Sequence, residues 1–399
     1  MVTAQSAAYE ILPSPDLWYN DVDGIRVGVN LKGQVPGTFE DGPHRLDAGF
    51  WVGLWFPKLP VSYYLSYTEP INRWSDFGSE ASIGIISSIR TGYHNHGIAF
   101  NKRWQQGFDE RRYRELRIYN SYEKRFDLDY TPFQSLWSDK DKLFTHFSAE
   151  LRDDNRLGWY RFNLNTSFQY LDDSFNVTTL SAIQSVEFNR FWALHLRGYS
   201  GFATSGSTPE YLHSRSMRPA NQWGGNGVTR AKGTIPQSWL ELGNMHIAGG
   251  ANLRGYTSSD VESFISECNQ PGLNSETCLN ENGSQLLFHS IISLNAELDY
   301  WNPIAVMFNK IPYASEFLKF RSYLFFDTGR SLEFIENEPS GSFSNAGAGF
   351  SLSLNIPDYR GKDRGFVFRY EIPFWLSDAK DNDSFKVRHL FGFGAVISF

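Results

Sequence analysis

The chain contains 399 residues, of which 16% are aromatic and 20% are charged, and its 33 Phe almost equal its 34 Gly. This composition excludes collagen, coiled coil and intrinsic disorder, and a formal net charge of -7 carries no basic signature for nucleic acid. A mean hydropathy of -0.40 and the lack of an apolar run near about 18 residues exclude membrane-spanning helices, whereas spanning strands would leave no such signal.

The N-terminal stretch has neither a basic block nor an apolar block, so it is not a secretory signal peptide. We expect residues 1–20 to be a linker or the end of a region that lies upstream. Residues 21–399 are predicted to form a single barrel domain.

From residue 24 onward, apolar and polar residues alternate with a period of two, as in a strand with one apolar face. Ile25, Val27 and Val29, for example, alternate with Arg26 and Asn30. The pattern predicts sixteen strands: 24–32, 45–56, 61–68, 79–90, 92–104, 113–122, 143–152, 159–170, 175–188, 190–202, 238–247, 286–300, 317–327, 346–355, 366–374 and 387–399.

Long strands with one apolar and one polar face are typical of a membrane barrel, whose strands cross lipid at a tilt and line a wet lumen. A soluble sandwich would need strands every 8 to 12 residues. A β-propeller or a two-domain β protein would show repeats or shorter strands, and the sequence contains no internal repeat. Because lipid cannot satisfy free backbone groups, the sheet must close. We therefore predict an all-β, transmembrane antiparallel β-barrel of about 16 strands.

A glycine-rich motif, Gly-Gly-Ala-Asn-Leu-Arg-Gly-Tyr, lies in a long predicted loop before strand 286–300. Its residues of interest are Gly249, Gly250, Leu253, Arg254, Gly255 and Tyr256. Glu297 follows on the next predicted strand, and Asp327 and Gly329 belong to a Phe-x-Asp-x-Gly motif at the end of the strand after it. The C-terminal strand is apolar at alternate positions and ends on an aromatic residue, with Phe391, Phe393, Ile397 and Phe399 on one face.

In this order, the motifs resemble those of the outer-membrane superfamily that includes BamA, the two-partner secretion transporters and the bacterial surface antigens. The C-terminal strand resembles the sorting strand of such barrels. The resemblance extends from about residue 24 to residue 399 and implies a long loop folded into the lumen.

Strand parity places Glu297 and Asp327 on the lumen face, opposite their apolar neighbours. Arg254 can form bidentate hydrogen bonds to a carboxylate, and Gly255 permits backbone conformations that other residues avoid. We predict that Arg254 pairs with Asp327, Glu297 or both and holds the loop inside the barrel. The alternative is that Arg254 is a solvated loop residue.

Cys268 and Cys278 lie in a polar stretch, and we expect them to form a loop disulfide in an oxidising compartment; two free thiols are the alternative. Two cysteines without nearby histidines make a zinc site improbable. The triplet at Asp327 also resembles that of aspartic proteases, but its required second copy is missing. We predict no catalytic residue, no metal and no cofactor.

The predicted lumen face carries more basic than acidic residues. Such a lumen would favour anionic passengers, or it would be neutralised by acidic loops folded into it, and the sequence favours neither reading.

The resemblance implies a membrane-embedded module for protein insertion or export in the outer membrane of a Gram-negative cell. The periplasmic docking domains usual in the superfamily are absent from this chain. The alternatives are an anchor or exporter for a fused or associated passenger domain, or a plugged passive pore. The expected partners are outer-membrane lipid, the outer-membrane assembly machinery acting on this chain as a client, and a protein passenger or upstream domain.

Overall fold

The structure is a computed structural model that describes residues 9–34, 45–105, 112–189, 191–225, 229–266, 287–308, 311, 318–332, 334–335, 338–339, 341–357, 363–379 and 384–395. One antiparallel sheet of sixteen strands dominates it, and each strand pairs with its neighbours in the sequence. The predicted all-β fold with sixteen antiparallel strands is thus confirmed. The strands are β1 Glu10–Asn20, β2 Gly24–Gln34, β3 Arg45–Gly53, β4 Val61–Pro70, β5 Ser79–Arg90, β6 Tyr93–Trp104, β7 Tyr113–Arg125, β8 Lys142–Asn155, β9 Gly158–Gln169, β10 Phe175–Asn189, β11 Trp192–Ala203, β12 Ser290–Asp299, β13 Leu318–Ser331, β14 Ser342–Pro357, β15 Asp363–Leu376 and β16 Leu390–Ala395.

Helical structure is confined to short elements. The α-helices are α1 Gln237–Glu241, α2 Thr257–Ser266 and α3 Pro303–Phe308, and 3-10 turns occupy Asn72–Trp74, Leu128–Tyr130, Gln134–Leu136, Pro209–Tyr211, Ala220–Gly225 and Arg254–Tyr256. A separate hairpin joins Phe334–Ile335 to Glu338–Pro339. None of the described helices is long and apolar enough to cross a membrane.

Two of the predicted assignments are wrong. Residues 10–20, part of the segment that we expected to be a linker or the end of an upstream region, form β1 and pair along their whole length with β2. Residues 238–247, predicted as a strand, instead contain most of α1 and an irregular stretch. One strand is gained and one is lost, so the strand count stays at sixteen. The long loop, however, begins directly after β11 and therefore includes residues 238–247.

The two faces of the sheet differ in the way that the alternation predicts. On β2, Ile25 is 45% and Val27 46% exposed, whereas Arg26 between them is 4% exposed. Large apolar side chains such as Phe50, Phe162 and Leu294 are likewise exposed on other strands. Polar side chains therefore face inward, and the outer face presents a broad apolar surface to its surroundings.

Residues 204–289 connect β11 to β12, and we call them the plug. The backbone N–H of Asp21, beside β1, donates to the carbonyl of Lys232 in the plug at 3.0 Å. At the other end of the sheet, His246 of the plug donates to the carbonyl of Phe391 in β16 at 2.8 Å. Because one segment touches both ends of the sheet, the sheet is rolled around the plug.

The plug has its own apolar core, in which Met217, Trp223 and Phe264 are almost fully buried. Phe133 and Leu136, from the connection between β7 and β8, pack into the same core. The plug is therefore a packed part of the fold, joined to the wall of the rolled sheet by shared side chains.

Candidate functional site

The predicted motif lies at the centre of the plug. Gly249 and Gly250 have φ values of 126° and 60°, and Asn252 also has a positive φ of 60°. A Cβ on Gly250 would stand 2.8 Å from the carbonyl oxygen of Met217, and a φ of 60° is rarely adopted by residues with a side chain. Both the lack of space and the backbone conformation therefore require glycine at this position. The resulting turn directs the next residues, which form the 3-10 turn Arg254–Tyr256, toward the inner faces of β12 to β15.

Arg254 is fully buried and binds three carboxylates on three different strands. Its Nε and Nη2 donate to the two oxygens of Asp327 on β13 at 2.9 Å and 2.7 Å. Its Nη1 donates to Glu297 on β12 at 2.6 Å and to Glu371 on β15 at 2.8 Å. We call these four residues the Arg254 clamp. The contacts fasten the plug to the wall with charge-assisted hydrogen bonds, the stronger class of such bonds.

A second ring of polar side chains donates further hydrogen bonds to Glu297 and Glu371 of the clamp. Arg369 donates to Glu297 at 2.6 Å and to Glu371 at 2.8 Å. Arg321 donates to Glu297 at 3.1 Å, and the Tyr323 hydroxyl donates to Glu371 at 2.8 Å. These extra cations offset the negative charge of the three carboxylates, which is the condition for burying an ion cluster.

Electrostatics hold Arg254 in its charged form. Burial lowers the pKa of Arg254, but Asp327, Glu371 and Glu297 more than offset this and raise it well above its ordinary value. The Arg254 guanidinium also lies 3.9 Å from the ring centroid of Phe325, a cation–π contact. Arg254 therefore stays charged at physiological pH, and its ion pairs in the clamp do not depend on its own titration.

Apolar packing on both sides of Arg254 adds to the attachment that the clamp provides. Leu253, just before the turn, and Tyr256, its last residue, are buried against Tyr199, Ile291 and Leu376 of the sheet. Gly255 passes so near the wall that a Cβ would stand 2.8 Å from Asn345 Cβ. Gly329 on β13 is equally restricted, because a Cβ there would stand 2.6 Å from the carbonyl oxygen of Ile292.

The structure brings most of the predicted motif residues together. Arg254 contacts both predicted carboxylates, Glu297 and Asp327, and is not a solvated loop residue. Phe391 and Phe393 lie on one face of β16, where their rings pack against Phe368. Ile397 and Phe399 lie outside the described residues, as do Cys268 and Cys278 with their predicted disulfide.

Sequence reasoning missed three members of the network. Glu371, Arg369 and Arg321 face the lumen by strand parity, but only the rolled sheet shows that they meet at Arg254. In the part of the chain that the structure describes, no group of three or more His, Cys, Asp or Glu side chains is arranged to hold a metal ion.

The sheet also presents two edge strands with unusual hydrogen bonding. Pro13 and Pro15 pair with Leu31 and Val29 in an uninterrupted ladder between β1 and β2. Proline has no N–H, so this ladder can continue only if both proline nitrogens point to the free edge of β1. That edge therefore lacks two donors.

The edge of β16 is in turn occupied by the plug. The N–H of Phe391 donates to the carbonyl of Asn244 at 2.7 Å, and Met245 forms a parallel bridge with Phe391. Within the described residues, the strand order ends at β1 on one side and at β16 on the other. We call the region between these two edges the seam, and across the described ranges no strand pairing joins them.

Comparison with known proteins gives similarity in fold only. No protein-family profile matches the chain, and no curated protein matches it. Solved structures similar to it include BamA from Haemophilus ducreyi lacking POTRA domains 1-3, with 14% identity, a TM-score of 0.48, and coverage of 97% of this chain and 70% of that chain. A bacterial polysaccharide outer membrane secretin has 10% identity and a TM-score of 0.37, over 97% of this chain and 96% of its own. OccK11 of Pseudomonas aeruginosa has 9% identity and a TM-score of 0.30, over 98% of this chain and 94% of its own.

Proposed function

We propose that the chain is an outer-membrane β-barrel that serves as the membrane-embedded module for insertion or export of a protein. The observation that carries this proposal is the seam between β1 and β16. An edge strand that lacks donors at Pro13 and Pro15 closes weakly, and an edge that is paired with the plug is already adapted to accept a strand. A client strand can add to such an edge through main-chain hydrogen bonds.

The outer face of the sheet supports placement in a membrane. Monomeric soluble proteins rarely expose apolar patches larger than a few hundred Å². Here the outward residues of most strands are large and apolar, for example Leu17, which is 70% exposed, and Ile98, which is 55% exposed. Lipid is the environment that such a surface fits.

The proposal is tested by restoring the missing donors. The purified chain is reconstituted in liposomes, and the rate at which a urea-unfolded, eight-stranded outer-membrane protein folds into them is measured. Pro13→Thr with Pro15→Thr adds two N–H donors at the seam, and we expect folding of the client to slow about tenfold. Ile11→Thr with Leu17→Thr is the matched control, because it changes the same face of β1 without adding a donor.

Two results would contradict the proposal. One is equal folding rates in liposomes with and without the chain, and the other is equal slowing by the proline pair and by the control pair.

Either result would favour the second candidate function, a plugged anchor for a passenger domain. That candidate draws support from the plug, which packs against the inner face of the sheet and is bound to it through Arg254. An anchor of this kind should conduct little current in a planar bilayer until Arg254→Ala releases the plug.

A further inference from the structure

A cavity of about 320 Å³ lies away from the Arg254 clamp, between the plug and the inner faces of β4 to β8. Tyr64, Tyr93 and Trp137 form part of its wall on the sheet side, and Tyr211 and Arg230 belong to the plug. Its volume is in the range of small-molecule binding sites and several times what a single oxyanion needs.

Basic side chains outnumber acidic ones around this cavity. The basic residues are Arg90, Lys124, Arg125, Lys142 and Arg230. The acidic residues are Glu123 and Glu210, and both already have partners. Glu210 pairs with Lys142 at 2.9 Å, and Glu123 accepts a hydrogen bond from the Tyr93 hydroxyl at 2.6 Å and another from Ser121 at 2.8 Å.

Three arginines at the cavity have aromatic or backbone partners in place of carboxylates. The Arg90 guanidinium lies 4.7 Å from the ring centroid of Tyr64, and that of Arg125 lies 4.1 Å from the ring centroid of Trp137. Arg230 donates from Nε to the carbonyl of Gly224 at 3.2 Å. Across the described part of the chain, none of the three forms an ion pair. Most of their N–H donors therefore remain available to a ligand.

Arg90 and Arg26 lie near enough to Arg230 to repel its positive charge. Burial, and then repulsion from Arg90 and Arg26, lowers the pKa of Arg230 to about 10. Arg26 is 4% exposed, and its Nη2 has no hydrogen-bond partner. Arg26 is itself paired with Asp23, whose carboxylate lies 3.4 Å from its Nε. Asp16 partly offsets the lowering of the Arg230 pKa and Asp47 attracts the charge of Arg90, but neither forms an ion pair with these arginines in the described part of the chain. Like charges concentrated in one partly enclosed place are stabilised by an anion.

We propose that this cavity binds a phosphate-bearing small molecule, with Arg90 and Arg230 donating to the phosphate and Tyr64 and Trp137 contacting its organic part. A phosphate monoester carries close to two negative charges at neutral pH and accepts several hydrogen bonds, and planar guanidinium groups recognise it bidentately. The volume beyond the phosphate, bounded by aromatic rings, fits a sugar-sized body. This inference goes beyond the proposed function and needs only the fold.

Isothermal titration of the purified chain in detergent micelles tests the site, with glucose 6-phosphate, inorganic phosphate and glucose as probes. Glucose 6-phosphate should bind more tightly than inorganic phosphate, and glucose should not bind. Arg90→Gln and Arg230→Gln should each weaken glucose 6-phosphate binding about tenfold or more. Arg117→Gln is the matched control, because Arg117 also stacks on a tyrosine, with 5.5 Å to the Tyr119 ring centroid, but does not line the cavity.

Circular dichroism of each variant shows whether the sheet has formed. No binding to the wild-type chain would overturn the proposal, and so would equal weakening by Arg117→Gln and Arg90→Gln. Equal affinity for inorganic phosphate and glucose 6-phosphate would overturn the role of the aromatic wall. None of these results depends on protein insertion, so the ligand site can be disproved without disproving the proposed function, and the proposed function without disproving the site.

Discussion

The two halves of the lumen differ in how their inward-facing arginines are paired. On the side of β12 to β15, Arg254 is surrounded by Glu297, Asp327 and Glu371, and each of its three guanidinium nitrogens donates to a carboxylate. On the side of β4 to β8, Arg90 and Arg230 face a cavity without forming an ion pair in the described chain. The plug therefore contributes a cation to each half, but only one half supplies the counter-charge.

This difference indicates which contacts hold the plug and which remain open to a ligand. Removing one partner from a buried ion cluster leaves uncompensated charge and is strongly destabilising. Removing one arginine from a group of like charges relieves repulsion. The sequence left open whether acidic loops neutralise a basic lumen. At the clamp the charges are reversed, because the sheet supplies the carboxylates and the plug supplies the arginine.

The largest effect is expected from Arg254→Ala, compared directly with Arg230→Ala. The first variant leaves three buried carboxylates with one cation fewer and should weaken attachment of the plug by about 3–5 kcal/mol. The second should change it by less than about 1 kcal/mol. Limited proteolysis of the plug in detergent measures both. Equal protection in the two variants would show that the clamp does not hold the plug.

A smaller effect is expected from pH at His213, where the plug begins. Its side chain is fully buried against Tyr199 and beside His289, and burial lowers its pKa to about 4. The unfolded value is about 6.5, so the stabilising contribution is complete above that pH and declines as pH falls from about 6.5 to 4, by about 3 kcal/mol in total. Denaturant midpoints measured across this range should show the decline. His213→Gln should remove it, and a decline that persists in His213→Gln would point to other groups.

The smallest effect is expected from Gly255→Ala, which leaves all charges of the clamp in place. The new Cβ would stand 2.8 Å from Asn345 Cβ and 2.9 Å from Leu376 Cδ1, so the turn must shift away from the wall. Such overpacking costs about 1–3 kcal/mol. Gly198→Ala on β11 is the control, because nothing lies within 4 Å of its Cβ. Thermal unfolding of both variants distinguishes loss of space at the clamp from a general effect of losing glycine.

Alternation of apolar and polar residues was sufficient to predict most of the sheet, because strand parity is a local property of the sequence. It failed at β1, where Pro13 and Pro15 resemble a linker although an edge strand tolerates them. It also failed at 238–247, where the packing of Leu240 and Met245 into the plug core, not a strand, explains the apolar positions.

The candidate site was predictable where a residue type and its parity sufficed. Arg254, Glu297 and Asp327 were found from the motifs and from the face on which each carboxylate lies. Glu371 could not be placed beside Arg254, because 117 positions of the chain separate the two residues. The cavity could not be predicted either, because it is lined by side chains from the plug and from five strands. Such contacts depend on how the sheet rolls around the plug.

The position of the plug in the chain also constrains the order of folding. The hydrogen bond between Asp21 and Lys232 joins the first turn of the sheet to a segment that follows eleven strands. The bridge between Met245 and Phe391 then joins that segment to the final strand. Contacts of such long sequence separation form slowly, since much of the chain must be ordered first. Because the plug contacts both the first turn and the final strand, we expect the two ends of the sheet to be held near each other only once the plug has folded.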